Sequence, residues 1–191
     1  MSTLVDLLRR QAETRPDGRA FRFTDDGPSW TSYLTLDLAA RQVMATLRRL
    51  DAAGQPVLLL YPPGQAYVEG LLGCLYAGAV AVPAYPPDPA RLERTLPRLS
   101  ALVADCGARV ALTTSAFIGP VRALLGAGSG SALTWVATDA EADVDGPAGE
   151  PVACHDSAAA LLQYTSGSTG TPRGVLLTHG NLKHNLELIR S

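Results

Sequence analysis

Val57-Leu-Leu-Leu-Tyr-Pro-Pro-Gly-Gln-Ala-Tyr-Val-Glu-Gly-Leu-Leu-Gly-Cys-Leu-Tyr-Ala-Gly-Ala-Val-Ala-Val82 decides the fold class. Val57 to Tyr61 is an uninterrupted apolar run bounded by proline. It is the right length for a strand buried on both faces. Gln65 to Ala77 is apolar on nearly every side, as expected of a helix packed within a large domain. Val80-Ala-Val82 is short and β-branched again, and reads as a second strand. Strand, helix and strand in this order form the unit of a parallel sheet.

The same alternation continues outward in both directions. Asp88-Pro89 supplies an N-cap and first-turn proline. The helix behind it carries Leu92, Leu96, Leu99, Leu102, Val103 and Cys106 on one face, with Pro97 as a possible kink. Arg109 to Thr113 is a strand, Phe117 to Leu125 a helix, and Leu133 to Ala137 a strand. Residues 138 to 157 are acidic and rich in Gly, Pro and Ala, and are expected to form a surface loop. Ala158 to Tyr164 and Val175 to Thr178 are strands, and Asn181 to Arg190 is helical with Asn181 as its N-cap. Toward the N-terminus, Leu4, Leu7, Leu8 and Ala12 mark a short helix. Ala20 to Thr24 and Ser29 to Thr31 form a small hairpin across Asp25-Asp26-Gly27. Leu36, Ala39, Ala40, Val43, Leu47 and Leu50 define a longer helix with Arg41, Arg48 and Arg49 on its outer side. The sequence therefore predicts an α/β fold, a mainly parallel sheet with helices on both faces.

Composition narrows the function. The chain has 191 residues, 47% hydrophobic and 18% charged, which suits a globular protein with a substantial core. Its formal charge of −2 offers no electrostatic footprint for nucleic acid or an anionic membrane. The longest apolar stretch, Val68 to Val82, is broken by Glu69 and glycines and falls short of a membrane span. The charged N-terminus does not read as a signal peptide. Cys74, Cys106 and Cys154 form neither a CxxC pair nor a metal spacing, and fit a reducing, cytoplasmic setting. His155, His179 and His184 are too scattered for a metal site, since His179 and His184 miss the i, i+4 spacing of a helix. No metal ligand is expected. Tyr61, Tyr67, Tyr76 and Tyr85 are expected to pack in the core.

The chemistry lies in Tyr164-Thr-Ser-Gly-Ser-Thr-Gly-Thr-Pro-Arg-Gly174, between two strand-like runs. Thr165, Ser166, Ser168 and Thr169 offer hydroxyls, and Gly167 and Gly170 let successive backbone amides turn toward one centre. Such a concavity binds anions, and each donor facing a charged phosphate contributes about 1.5–3 kcal/mol. The alternative reading of the residues is a plain polar surface loop, as Gly126 to Ser131 is taken to be. The segment is not a Walker A loop, because Gly-Lys-Ser/Thr does not follow four spacer residues.

Thr165 to Gly174 resembles the signature of the adenylate-forming superfamily, [ST]-S-G-[ST]-T-G-x-P-K-G, and departs from it only at Arg173. Ser32-Tyr-Leu-Thr-Leu36 resembles the family's first core motif, with Thr35 for the customary Glu. Leu75-Tyr-Ala-Gly-Ala-Val-Ala-Val-Pro83 resembles the second, with Tyr76 at the usual Lys position. Val82 to Pro89, Gln163-Tyr164 and His179 to Asn185 are similar to the fatty acyl-AMP ligase branch. The resemblance implies that residues 1–191 are the N-terminal portion of an adenylating domain. It implies an ATP-dependent acid ligase with Mg2+, a fatty acid substrate, and an acyl carrier protein or a downstream polyketide or peptide synthase module as acceptor. Thr165, Ser166, Gly167, Ser168, Thr169 and Gly170 would cradle the β- and γ-phosphates, with Arg173 at the cationic position. No catalytic residue is expected within the chain, and the piece alone is expected to be inactive. An acyl-CoA ligase, an amino-acid adenylation domain, and a non-catalytic relative that only binds a nucleotide or a partner remain alternatives. Sheet surface left uncovered predicts a homodimer.

Overall fold

A computed structural model describes residues 3–23, 30–125, 132–140, 149–165 and 173–190. Helix α1 (Leu4–Thr14) starts at a reciprocal cap: the Asp6 amide donates to Thr3 Oγ1 at 3.2 Å, and the Thr3 amide donates to Asp6 Oδ2 at 2.8 Å. Strands β1 (Arg19–Phe21) and β2 (Thr31–Ser32) pair antiparallel, as the expected small hairpin. Its turn, Asp25 to Gly27, lies outside the described residues. Helix α2 (Tyr33–Arg49) follows directly, because Ser32 Oγ accepts from the Thr35 amide at 3.1 Å.

Strand β3 (Pro56–Leu59), helix α3 (Gln65–Ala77) and strand β4 (Val80–Pro83) form the unit read from the sequence. Gly78 ends α3 with φ of 67°, a left-handed conformation that glycine takes without Cβ strain. A 3-10 turn (Pro89–Arg91) capped by Asp88 leads into α4 (Leu92–Cys106), which continues through Pro97. Then come β5 (Val110–Thr113), α5 (Ser115–Leu125), β6 (Thr134–Ala137), β7 (Ala159–Thr165), β8 (Arg173–Thr178) and α6 (His179–Arg190).

The main sheet has six strands in the order β6-β5-β3-β4-β7-β8. Every neighbouring pair is parallel except the antiparallel β7–β8 hairpin. Period-2 alternation splits the apolar runs between two cores. Val57, Leu59, Ala81, Val110 and Leu112 face α1, α2 and α3. Leu58, Leu60, Val82 and Ala111 face α4 and α5. Burial on both sides is why these strands read as continuous hydrophobic runs.

Two expectations change. Asn181 is not the N-cap of α6. Thr178 is, with its Oγ1 accepting from the Asn181 amide at 3.2 Å while Asn181 Oδ1 accepts from the Thr178 amide at 3.0 Å. Asn181 is thus the third-position partner of a reciprocal cap. Tyr85 is 89% exposed and packs in neither core, because Pro83, Pro86 and Pro87 hold its segment in an extended path off the end of β4. The described part of the expected surface loop is exposed or half-buried, as read, and it is tied down. Val152 donates its amide to the Tyr76 carbonyl at 2.8 Å, and Arg41 Nη1 donates to the Gly149 carbonyl at 2.9 Å. Arg9 pairs with Glu150 at 2.5 Å, and Arg48 donates to the Glu150 carbonyl. Arginines expected on the outer side of α2 therefore hold a strap that runs into β7.

Candidate functional site: the β7–β8 hairpin

The hairpin register pairs Leu161 with Leu177, Leu162 with Leu176, Gln163 with Val175, Tyr164 with Gly174, and Thr165 with Arg173. Directly opposed residues share a face of the sheet. Leu162 and Tyr164 pack toward the α4–α5 core, so Gly174 and Leu176 lie on that side. Leu161 packs toward the α1–α3 core, so Thr165 and Arg173 lie on the other. The last rung thus sets a hydroxyl and a guanidinium opposite each other at the mouth of the connection 166–172. Ser166, Gly167, Ser168, Thr169 and Gly170 lie outside the described residues.

Because β4 and β7 run parallel, the carboxyl ends of both point the same way, and the segment carrying Tyr85 leaves the sheet at the end where the hairpin connection begins. This is the edge at which open α/β sheets bind ligands.

The hairpin is fixed near its mouth on the other face of the sheet. Tyr164 donates its hydroxyl hydrogen to Asp105 Oδ2, near the end of α4, at 2.5 Å. Burial, followed by the hydrogen bond and charge of Asp105, pushes the Tyr164 phenol well above its ordinary range, so it stays a donor. Nothing in the sequence pointed to Asp105, whose partner is remote along the chain. The return strand is fixed at its far end, where His179 donates its amide to the Ala158 carbonyl at 3.0 Å and Gly180 to the Asp156 carbonyl at 2.8 Å. Lys183 pairs with Asp156 at 3.2 Å, a structural role.

Among the described residues no group of three or more His, Cys, Asp or Glu side chains could hold a metal ion. No helix among them is long and apolar enough to cross a membrane. All three cysteines are free, with Cys74 and Cys106 buried.

The profile of the AMP-binding enzyme family matches residues 8–190. The chain belongs to that family.

A medium-chain-fatty-acid–[acyl-carrier-protein] ligase of Moorena producens is 38% identical over 194 residues, covering 99% of this chain and 33% of the relative. A long-chain-fatty-acid–AMP ligase of Mycobacterium tuberculosis is 36% identical over 195 residues, covering 97% and 32%. A fatty acyl-adenylate ligase from L. pneumophila, solved with acyl adenylate and pyrophosphate, superposes with a TM-score of 0.82 at 31% identity, covering 97% of this chain and 32% of that one. The chain spans about a third of the length of the curated relatives it matches. The α/β fold with its mainly parallel sheet is the one shared with the amino-terminal domains of adenylate-forming enzymes.

Proposed function

We propose that residues 1–191 form the N-terminal portion of the adenylating domain of a fatty acyl-AMP ligase, and that the β7–β8 hairpin grips the triphosphate tail of ATP. The carrying observation is the Thr165–Arg173 rung, which closes a connection rich in glycine and hydroxyl residues. The fatty acid ligases similar to it along nearly its whole length support the substrate class.

In this reading a fatty acid carboxylate oxygen attacks the α-phosphorus. The carboxylate O–P bond forms, the α–β bridging P–O bond breaks, and pyrophosphate leaves with its electron pair. Thr165, Ser166, Gly167, Ser168, Thr169 and Gly170 orient the β- and γ-phosphates through amides and hydroxyls, and Arg173 offsets the charge that builds on the leaving group. The donor set present fits polyphosphate. It does not fit Mg2+, for which the described residues bring together no carboxylate cluster, so a magnesium ion would rest on the phosphates and on residues elsewhere. No residue of this chain is assigned as the catalytic acid or base.

The adenylate then passes to an acyl carrier protein thiol, stand-alone or in a polyketide or peptide synthase module. The 38% identical relative, itself named as a carrier-protein ligase, favours that acceptor. A second reading, transfer to coenzyme A, is favoured by a 33% identical Mycobacterium tuberculosis relative named as a putative fatty-acid–CoA ligase. Three free thiols fit a cytoplasmic setting. Val175, Leu176, Leu188 and Ile189 are exposed on β8 and α6, and would support a homodimer of the 191-residue chain at high concentration, visible by light scattering.

The test is ATP–pyrophosphate exchange by the full-length protein that carries this chain. Exchange that depends on medium- or long-chain fatty acid supports the proposal. Exchange with amino acids alone, or none with any acid, overturns it. Supplying carrier protein and coenzyme A side by side separates the two acceptors.

A further inference from the structure

The seam between β4 and β7 is short. One residue pair joins the two strands, Ala81 with Leu161, where β3 and β4 share four. Val80 and Ala84 donate their amides to the Gln55 and Leu59 carbonyls on the β3 side, so residue 83 is a position that faces β7. Pro83 has no N–H to offer there. Pairing therefore stops before the carboxyl edge, where sheets of this kind bind ligands.

What lies past that stop is a patch on one face. Counting along both strands from Ala81 and Leu161 brings Pro83 level with Gln163, and Tyr85 level with Thr165. Ala84 packs against the α4–α5 core, so alternation turns Tyr85 to the opposite face. Gln163, Thr165 and Arg173 lie on that same face. All four residues are exposed. Tyr67, in the first turn of α3, is half-buried and close by: burial, and then the Tyr85 phenol, hold its own phenol above the ordinary range.

The patch has two chemical halves. Gln163 and Thr165 offer neutral hydrogen-bonding groups, with the Arg173 cation beside them. Tyr85 offers an aromatic ring on a backbone fixed by proline, which has little freedom left to lose on binding. Same-face neighbours along a strand stand about 7 Å apart, and adjacent strands about 4.8 Å. One small molecule with an anionic head and an apolar body spans both halves.

We propose that Gln163 and Tyr85 are substrate-contacting, specificity-determining residues for the fatty acid: the Gln163 carboxamide donates to its carboxylate, and the Tyr85 ring, backed by Tyr67, covers the first part of its alkyl chain. The inference rests on the fatty acid activation proposed above. A neutral donor orients the carboxylate without pairing its charge, and leaves other lone pairs free to attack phosphorus. Thr165 and Arg173, one step further out on the same face, mark where the phosphates arrive in that reading. Pro83 leaves room between the strands for the head of the acid.

The experiment is ATP–pyrophosphate exchange by the full-length enzyme across a series of acids from butanoate to dodecanoate, with Gln163→Ala, Gln163→Glu, Tyr85→Ala and Tyr85→Phe. Gln163→Ala raises the KM for every acid about tenfold, the size expected for loss of a hydrogen bond to a charged group. Gln163→Glu is worse, because two carboxylates then meet. Tyr85→Ala lowers kcat/KM about tenfold for dodecanoate, and the loss shrinks as the chain shortens, because less apolar surface is covered. Tyr85→Phe recovers most of that loss, since the ring makes the contact. The KM for ATP and the melting temperature do not follow these changes. An unchanged fatty acid KM in both alanine variants overturns the inference. So does a Tyr85→Ala effect independent of chain length, a rise in the KM for ATP instead, or a loss of melting temperature in step with activity. A wild-type enzyme with no fatty-acid-dependent exchange overturns the functional reading and this one with it. An active wild type with indifferent variants overturns this one alone. If Gln163→Ala does not fold, the chain-length profile of Tyr85→Ala decides.

Discussion

The Tyr76 hydroxyl donates a 2.7 Å hydrogen bond to Asp37 Oδ1, tying α3 to α2 inside the larger core. Asp37 Oδ2 accepts from Arg41 Nε, also at 2.7 Å, and Arg41 continues to the Gly149 carbonyl. Tyr76 is wholly buried and Asp37 nearly so. A buried carboxylate must be paired and hydrogen-bonded to persist, and here one neutral and one charged donor share it. Burial, reinforced by Asp37, pushes the Tyr76 phenol far above its ordinary range, so it serves as a permanent donor. Tyrosine at a position where the family resemblance expects lysine thus completes a network already holding one cation.

Removing that donor is costly because the acceptor stays behind. Tyr76→Phe leaves Asp37 Oδ1 buried without its partner, and should lower unfolding free energy by about 1–3 kcal/mol. Asp37→Ala removes the partner of the Tyr76 hydroxyl and of Arg41 Nε, and should cost about 1–3 kcal/mol, because Arg41 keeps the Gly149 carbonyl and Glu150. Urea titration of the 191-residue chain reads both. Equal stability of Tyr76→Phe and wild type would refute the network's importance.

The contact between α2 and α3 depends on a missing side chain. A Cβ on Gly73 would sit 2.4 Å from both Cβ and Cγ1 of Val43, a distance no packed structure tolerates. Gly73→Ala should therefore destabilise by about 1–3 kcal/mol through overpacking, despite the better helix propensity of alanine. Val43→Ala would remove Cγ1 but leave the Cβ in the way, whereas adding Val43→Gly opens the space again. The double variant should be more stable than the sum of the single effects, and simple additivity in a double-mutant cycle would contradict the contact.

Much of this architecture was legible because hydrophobic period and burial agree. Gln65 to Ala77 is apolar around its whole circumference, and it is the helix with the same bounds, pressed between α2 and the sheet. The Thr165 to Gly174 signature placed a loop between two strands, and the hairpin register puts Thr165 and Arg173 opposite each other at its ends. What stayed hidden were contacts set by tertiary placement. Arg41 and Arg48 read as the outer side of their helix, and from there they hold the strap at Gly149 and Glu150. Tyr85 read as core because tyrosines usually bury their rings, whereas proline geometry carries it outward. Asp105 has no local pattern at all, since its partner is on another element.

His179 makes stability depend on pH. Its ring is almost fully buried at the start of α6, and neither ring nitrogen has a hydrogen-bond partner. Burial lowers its pKa, partly opposed by the charges of Asp156 and Asp6. The unfolded imidazole, with a pKa of about 6.5, then binds a proton more readily than the folded one. This contribution to stability is complete above that value. It is lost as pH falls through it toward the lower folded value, at up to about 1.4 kcal/mol per pH unit. Urea midpoints should fall between pH 7.5 and 5.5, and His179→Leu should flatten that decline while costing little at pH 7.5. A decline equally steep in His179→Leu would assign the effect to other groups.

Arg173 bears directly on ATP use. It is exposed, begins β8 and faces Thr165 across the hairpin mouth, so its side chain carries little of the fold's stability. Its proposed work is done on the phosphates. Arg173→Ala should lower fatty-acid-dependent ATP–pyrophosphate exchange by the full-length enzyme about 10–100-fold, the worth of one charge-assisted contact. Arg173→Lys keeps the charge but exchanges a planar fork for a point donor, and should retain more activity than Arg173→Ala. The melting temperature should not move in either variant. Full activity of Arg173→Ala would remove the cation from the proposed site and leave the amides and hydroxyls of the loop to hold the phosphates without it.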